Sequence, residues 1–110
     1  MKKIPEDIAP ILDELKTRLR EFYGEKLAKL VLFGSRARGD NDPDSDIDVL
    51  VVLKGSDSDL PGLYDDVPIE MEFNLKFGLL VSLFTIDESR YNRRLSPFCI
   101  NVRREGVAIA

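Results

Sequence analysis

Residues 32–48 read Leu32-Phe33-Gly34-Ser35-Arg36-Ala37-Arg38-Gly39-Asp40-Asn41-Asp42-Pro43-Asp44-Ser45-Asp46-Ile47-Asp48, and this stretch decides the fold. It opens at the end of a short, continuously apolar run, Leu30-Val31-Leu32-Phe33, which has strand length and stops at Gly34. It closes by entering Ile47-Asp48-Val49-Leu50-Val51-Val52-Leu53, a β-branched run that predicts a second strand. Between Ser35 and Asp46 lies a polar spacer of ten residues. Asp46 and Asp48 stand two apart at the mouth of the second strand, so their side chains project from one face.

Two carboxylates held side by side repel unless a positive charge sits between them. A hard divalent cation, Mg²⁺ or Mn²⁺, meets that need, taking one or two protein carboxylates and completing its shell with phosphate oxygens. Across the spacer, Gly34 lets the backbone turn tightly and approach a ligand. A helical turn starting at Ser35 then presents free N–H groups and a hydroxyl to phosphate oxygens. Arg36 and Arg38 either add charge on a triphosphate or face solvent. Donors for phosphate and carboxylates for metal thus flank one point. That pairing suits phosphoryl-type transfer, where positioning and charge neutralisation supply most of the rate. The competing reading is a Gly-Ser turn followed by an acidic, solvated loop. Asp40, Asp42 and Asp44 lie in that loop and carry no fixed geometry.

Working outward, Ile4, Ile8, Ile11, Leu12, Leu15, Leu19 and Phe22 recur at steps of three or four and predict an amphipathic first helix. Pro5 suits its first turn, Pro10 either kinks the start or marks the true first residue, and Gly24 stops it. After Leu53, Lys54 to Asp59 reads as a loop. Residues 60–77 carry two patterns at once. Leu63, Val67, Met71 and Leu75 make a helical stripe, while Ile69, Met71, Phe73, Leu75 and Phe77 alternate with polar residues as a strand does. A helix from Pro61 or Pro68 is preferred, because strands on either side of it need a crossover. Leu79 to Ile86 is the third strand. Asp87 caps a short helix through Leu95, Ser96-Pro97 opens another, Gly106 ends it, and Val107-Ala108-Ile109 forms an edge strand.

Composition removes several classes of function. The chain has 110 residues, with 16 basic against 20 acidic side chains and a net charge of −4, so it lacks the basic footprint of a nucleic-acid binder. Nucleic acid is therefore not an expected partner. The longest uncharged run, Phe77 to Ile86, spans ten residues, half of the roughly 20 that a membrane helix needs. There is no histidine, which excludes histidine-based triads and a histidine general base, and the single Cys99 cannot close an internal disulfide. These features predict one domain over residues 1–110 in a cytoplasmic setting, with no membrane association. Self-association into a homo-oligomer stays open.

At Gly34, Ser35, Gly39, Asp46 and Asp48 the chain resembles the DNA polymerase beta-like nucleotidyltransferase superfamily, and as a whole its minimal nucleotidyltransferase (MNT) branch. The pattern there is a hydrophobic strand, Gly-Ser, a spacer of about ten residues, then Asp-x-Asp entering the next strand. The resemblance implies an α/β (α+β) fold, a small mixed β-sheet flanked by helices. It implies that Asp46 and Asp48 are catalytic and bind Mg²⁺ or Mn²⁺. Gly34 and Ser35, with Arg36 beside them, then hold the phosphates of ATP or another nucleoside triphosphate. It implies transfer of a nucleotidyl group, AMP foremost, to a hydroxyl on a partner protein. Many MNT proteins act as the antitoxin of a helical HEPN-type partner.

The chain departs from that pattern at one place. The superfamily usually adds a third carboxylate on the third strand, which here reads Leu79-Leu80-Val81-Ser82-Leu83-Phe84-Thr85-Ile86 without an acid. Ser82 stands at the vacant position and is expected to face the two aspartates. A second reading follows, a binding module that neutralises a HEPN partner by contact with weak or no catalysis. Glu70 and Glu72 read as a solvated helix face, and the arginines of residues 90–104 likewise. The aromatics Phe22, Tyr23, Phe33, Phe73, Phe77, Phe84 and Tyr91 read as core, and Cys99 as a buried, inert thiol.

Overall fold

The structure is a computed structural model that describes residues 4–42, 44–55, 66–93 and 96–110. The elements in chain order are α1 (Ala9–Tyr23), a 3₁₀ turn (Gly24–Lys26), β1 (Leu27–Phe33), α2 (Ser35–Arg38), β2 (Ile47–Leu53), α3 (Val67–Phe77), β3 (Val81–Asp87), α4 (Glu88–Arg93), α5 (Pro97–Glu105) and β4 (Val107–Ala108). Four strands form one mixed sheet in the order β3-β2-β1-β4. β1 runs antiparallel to β2 and to β4, while β2 and β3 are parallel. The expected mixed sheet flanked by helices is the observed architecture.

Both faces of the sheet are covered, which is why β2 reads as nearly unbroken apolar sequence. Ile47, Val49, Val51 and Leu53 join Leu30 and Leu32 on one face, under Leu12, Leu15 and Leu19 of α1 and Ile69 and Phe73 of α3. Leu50, Val52 and Val31 face the other way, toward Tyr91 of α4 and Val102 of α5. Asp48 shares this second face by the alternation of the strand. Phe33, the register partner of Asp48 on β1, packs against the same cluster.

Several boundaries moved for physical reasons. α1 begins at Ala9, with Pro10 in its first turn where a missing N–H costs nothing, and Ile4 packs on the core from outside the helix. The crossover is a helix, as expected: α3 joins the two parallel strands. Its buried stripe, however, is Ile69 and Phe73 with Phe77 half-buried, whereas Met71 and Leu75 of the expected stripe are exposed, Leu75 to 84%. Leu63 of that stripe, the proposed start at Pro61 and most of the Lys54–Asp59 loop lie outside the described residues. The outer flank of α3 instead meets α1 through Arg18–Glu72 at 3.1 Å and Lys76–Glu14. The caps are as expected. Asp87 Oδ2 accepts from the Arg90 N–H at 3.0 Å, and Ser96 Oγ from the Cys99 N–H at 3.1 Å.

Candidate active site

The site is assembled where β1 ends and β2 begins, adjacent points because the two strands are antiparallel. Gly34 leaves β1 with φ +77°, a conformation that side-chain-bearing residues rarely take, and the chain winds at once into α2. The Ala37 and Arg38 N–H groups both donate to the Gly34 carbonyl at 3.1 Å. The amides before them, at the start of the turn, have no intrahelical acceptor. A Cβ added at Gly34 would lie 2.6 Å from Asp48 Oδ2, so the glycine is also what lets the carboxylate and the turn approach.

Asp48 is half-buried on β2, and Asp46 is exposed just before the strand. Burial raises the Asp48 carboxyl above the ordinary range, the Asp46 charge pushes it further in the same direction, and Arg38 draws it partly back. Among the described residues no hydrogen bond and no ion pair engages either carboxylate. Two mutually repelling acids beside a glycine-lined gap are a donor set for a hard divalent cation. Among the described residues no third acid joins them in a cluster able to hold a metal. The residue across the sheet is Ser82, whose Cα is the register partner of Asp48 on β3. In a parallel pair, partners share a face, so the serine stands on the aspartate's side.

The spacer is more ordered than an acidic solvated loop. Asp42 Oδ1 accepts from the Asp44 N–H at 2.9 Å and from Ser45 Oγ at 3.3 Å, while the Asp42 N–H donates to Ser45 Oγ at 3.0 Å. Arg36 clamps this loop from beneath. Its side chain is only 2% exposed, Nε donates to the Ser45 carbonyl at 3.1 Å, and Nη1 pairs with Asp7 at 3.0 Å. The guanidinium of Arg36, the residue expected beside the phosphates, is engaged by the loop and the N-terminal segment. Arg38 is the more open of the two arginines. It lines the hollow beside Gly34, reaches Asp40 at 3.1 Å and Glu105 at 3.5 Å, and its charge is felt at Asp48. Both arginines follow the same Gly-Ser, and only the phase of a four-residue helix tells which of them points inward.

Three further side chains depart from their sequence reading. Glu70 is half-buried rather than solvated. Burial, followed by the charge of Asp66, raises its carboxyl above the ordinary range, and the Leu83 backbone on β3 draws it partly back. Phe84 and Phe22 are each 44% exposed, not core; the Phe84 ring meets Phe33 at 5.4 Å and the Phe22 ring meets Tyr23 at 4.8 Å.

A nucleotidyltransferase domain model matches residues 12–105. The chain belongs to the nucleotidyltransferase family. A candidate protein adenylyltransferase of Methanocaldococcus jannaschii is 32% identical to it over 96 residues, 86% of this chain and 90% of that protein. The protein adenylyltransferase MntA of Thermococcus cleftensis is 35% identical over 78 residues, 71% of this chain and 73% of that one. Among solved structures, the complex of a tri-AMPylated Shewanella oneidensis HEPN toxin with its MNT antitoxin has a chain sharing the fold. The TM-score is 0.58 at 18% identity, over 93% of this chain and 71% of that chain. The chain is a nucleotidyltransferase with the nucleotidyltransferase fold. In this nucleotidyltransferase no described helix is long and apolar enough to cross a membrane.

Proposed function

We propose that this nucleotidyltransferase binds ATP or a related nucleoside triphosphate with Mg²⁺ or Mn²⁺ and transfers the nucleotidyl group to a hydroxyl on a partner protein. The observation that carries the reading is the approach of Gly34 to Asp48. A turn whose first amides have no acceptor within the helix meets a carboxylate that, among the described residues, has no hydrogen-bond or ion-pair partner, at a gap that one added carbon would close. In the transfer, the acceptor oxygen bonds to the α-phosphorus and the bond to the bridging oxygen breaks. Pyrophosphate leaves with that electron pair, and the hydroxyl proton is released to water. Gly34 and Ser35 hold phosphate oxygens, Arg38 neutralises charge on the triphosphate, and Asp46 and Asp48 hold the cation. When bound, that cation supplies charge neutralisation on the triphosphate and the departing pyrophosphate.

The partner we infer is a helical toxin of HEPN type, with this chain as its antitoxin. Support comes from the protein adenylyltransferase names of its relatives and from the fold shared with an MNT antitoxin. Incubation with labelled ATP, Mg²⁺ and the candidate toxin tests the proposal. A labelled toxin band that disappears in Asp48→Asn is the expected result. A tight complex that never becomes labelled overturns transfer. It supports instead the second reading, neutralisation by contact, which Ser82 opposite Asp48 favours.

A further inference from the structure

The triphosphate site described above accounts for phosphates and cation but for no part of the nucleoside. Helix α5 presents Phe98, Asn101 and Glu105, at steps of three and four, toward Gly34 and Arg38. With Phe33 they line a hollow of about 240 Å³ that opens from the glycine turn. Phe33 meets the Phe98 ring at 5.4 Å and 86°, and Phe84 meets Phe33 at 5.4 Å and 66°. A perpendicular contact covers at most one face of the Phe98 ring, and the residue remains 42% exposed. An aromatic residue left half in solvent beside a phosphate site lacks a core role that would explain it.

Asn101 adds direction. Its Oδ1 accepts from Arg104 Nη2 at 3.2 Å, which turns the amide so that its NH₂ is the end left to donate. Among the described residues no acceptor is found for that NH₂. We propose that the base of the bound nucleotide stacks on Phe98 in this hollow, with the Asn101 amide donating to a ring nitrogen at its edge, an arrangement that favours a purine. A purine offers the larger π-face and several ring-nitrogen acceptors. The larger hollow of about 500 Å³ across Phe98 is the poorer seat, because it runs toward Asp66 and Glu70 at the β3 edge and touches neither Gly34 nor Arg38.

This inference rests on the triphosphate reading, and the test separates the two. Calorimetry would compare Mg²⁺–ATP, Mg²⁺–CTP and Mg²⁺–tripolyphosphate on wild type, Phe98→Ala, Phe98→Tyr and Asn101→Ala. Base–aromatic stacking predicts that Phe98→Ala weakens ATP binding by about 5- to 150-fold. Tripolyphosphate binding should be unchanged, and Phe98→Tyr should keep wild-type ATP affinity. Asn101→Ala should reduce the preference for ATP over CTP. Phe98→Ala binding ATP like wild type overturns the proposal, as does a loss of tripolyphosphate binding in step with ATP, the mark of a structural role. If wild type binds neither ATP nor tripolyphosphate, the triphosphate reading itself fails and this inference falls with it.

Discussion

Ser82 lies directly across from Asp48, their Cα atoms paired in the parallel register of β2 and β3. A hydroxyl therefore occupies the neighbouring position on the face that bears the metal-type carboxylate. Serine is a weak ligand for a hard dication and a poor base when no imidazole is present to activate it. Ser82→Asp should tighten Mn²⁺ binding tenfold or more, about 1.4 kcal/mol per factor of ten. It should also lower stability without metal, since three carboxylates then repel. Titration calorimetry and melting curves with and without Mn²⁺ check both effects. Unchanged Mn²⁺ affinity would show that the serine does not border the cation site.

Gly34 meets two constraints, and they are separable. An alanine there inherits a positive-φ, extended backbone that essentially only glycine adopts, at roughly 1–3 kcal/mol, and its Cβ collides with Asp48 Oδ2, 2.6 Å away. Gly34→Ala should therefore lose stability and most metal–nucleotide affinity together. In the background of Asp48→Ala the collision disappears and only the backbone cost remains. A double-mutant cycle in denaturant should then show coupling beyond the scatter of about 0.5 kcal/mol seen for independent sites. Strict additivity would mean that the carboxylate simply swings away.

How much of this was legible follows from which interactions are local. The Gly-Ser turn, the Asp-x-Asp strand and the caps at Asp87 and Ser96 are properties of a few consecutive residues, and each stands where the sequence places it. The crossover helix was legible from topology although its apolar pattern pointed to the wrong stripe. The Val67–Met71–Leu75 row and the Ile69–Phe73–Phe77 row are equally periodic, and only the position of α1 decides which is covered. The inward arginine depends in the same way on a contact distant in sequence, Arg36 with Asp7. Phe98 and Glu70 were hidden because their surroundings come from β1 and β3, which no spacing within α5 or α3 encodes.

Arg36 and Arg38 should respond to substitution in opposite ways. Removing Arg36 takes out a buried side chain and leaves the half-buried Ser45 carbonyl without its donor, a loss of up to about 1–3 kcal/mol. Arg38 is half-exposed, and its pairs with Asp40 and Glu105 are surface pairs worth little. Arg36→Ala should lower the denaturation midpoint strongly. Arg38→Ala should leave it within the roughly 0.5 kcal/mol typical of surface changes while weakening triphosphate binding. A stable Arg36→Ala that loses nucleotide would restore Arg36 to the phosphate site.

Glu70 makes stability depend on pH with a definite sign. Burial, then the charge of Asp66, raises its folded carboxyl above the ordinary 4.5, and the Leu83 backbone offsets this only in part. The folded chain therefore keeps this proton to higher pH than the unfolded chain does. Through the interval between the two values the folded state binds more protons, so stability falls as pH rises. Above the interval the cost is constant, and below the unfolded value it vanishes. Glu70→Gln keeps the shape of the side chain and a carbonyl near the Leu83 backbone, and cannot ionise. It should raise the melting temperature at about pH 7 and match wild type near pH 3.5, where both side chains are neutral. A glutamine variant less stable than wild type at neutral pH would mean that the ionised carboxylate, beside the Leu83 backbone, contributes more than its burial costs.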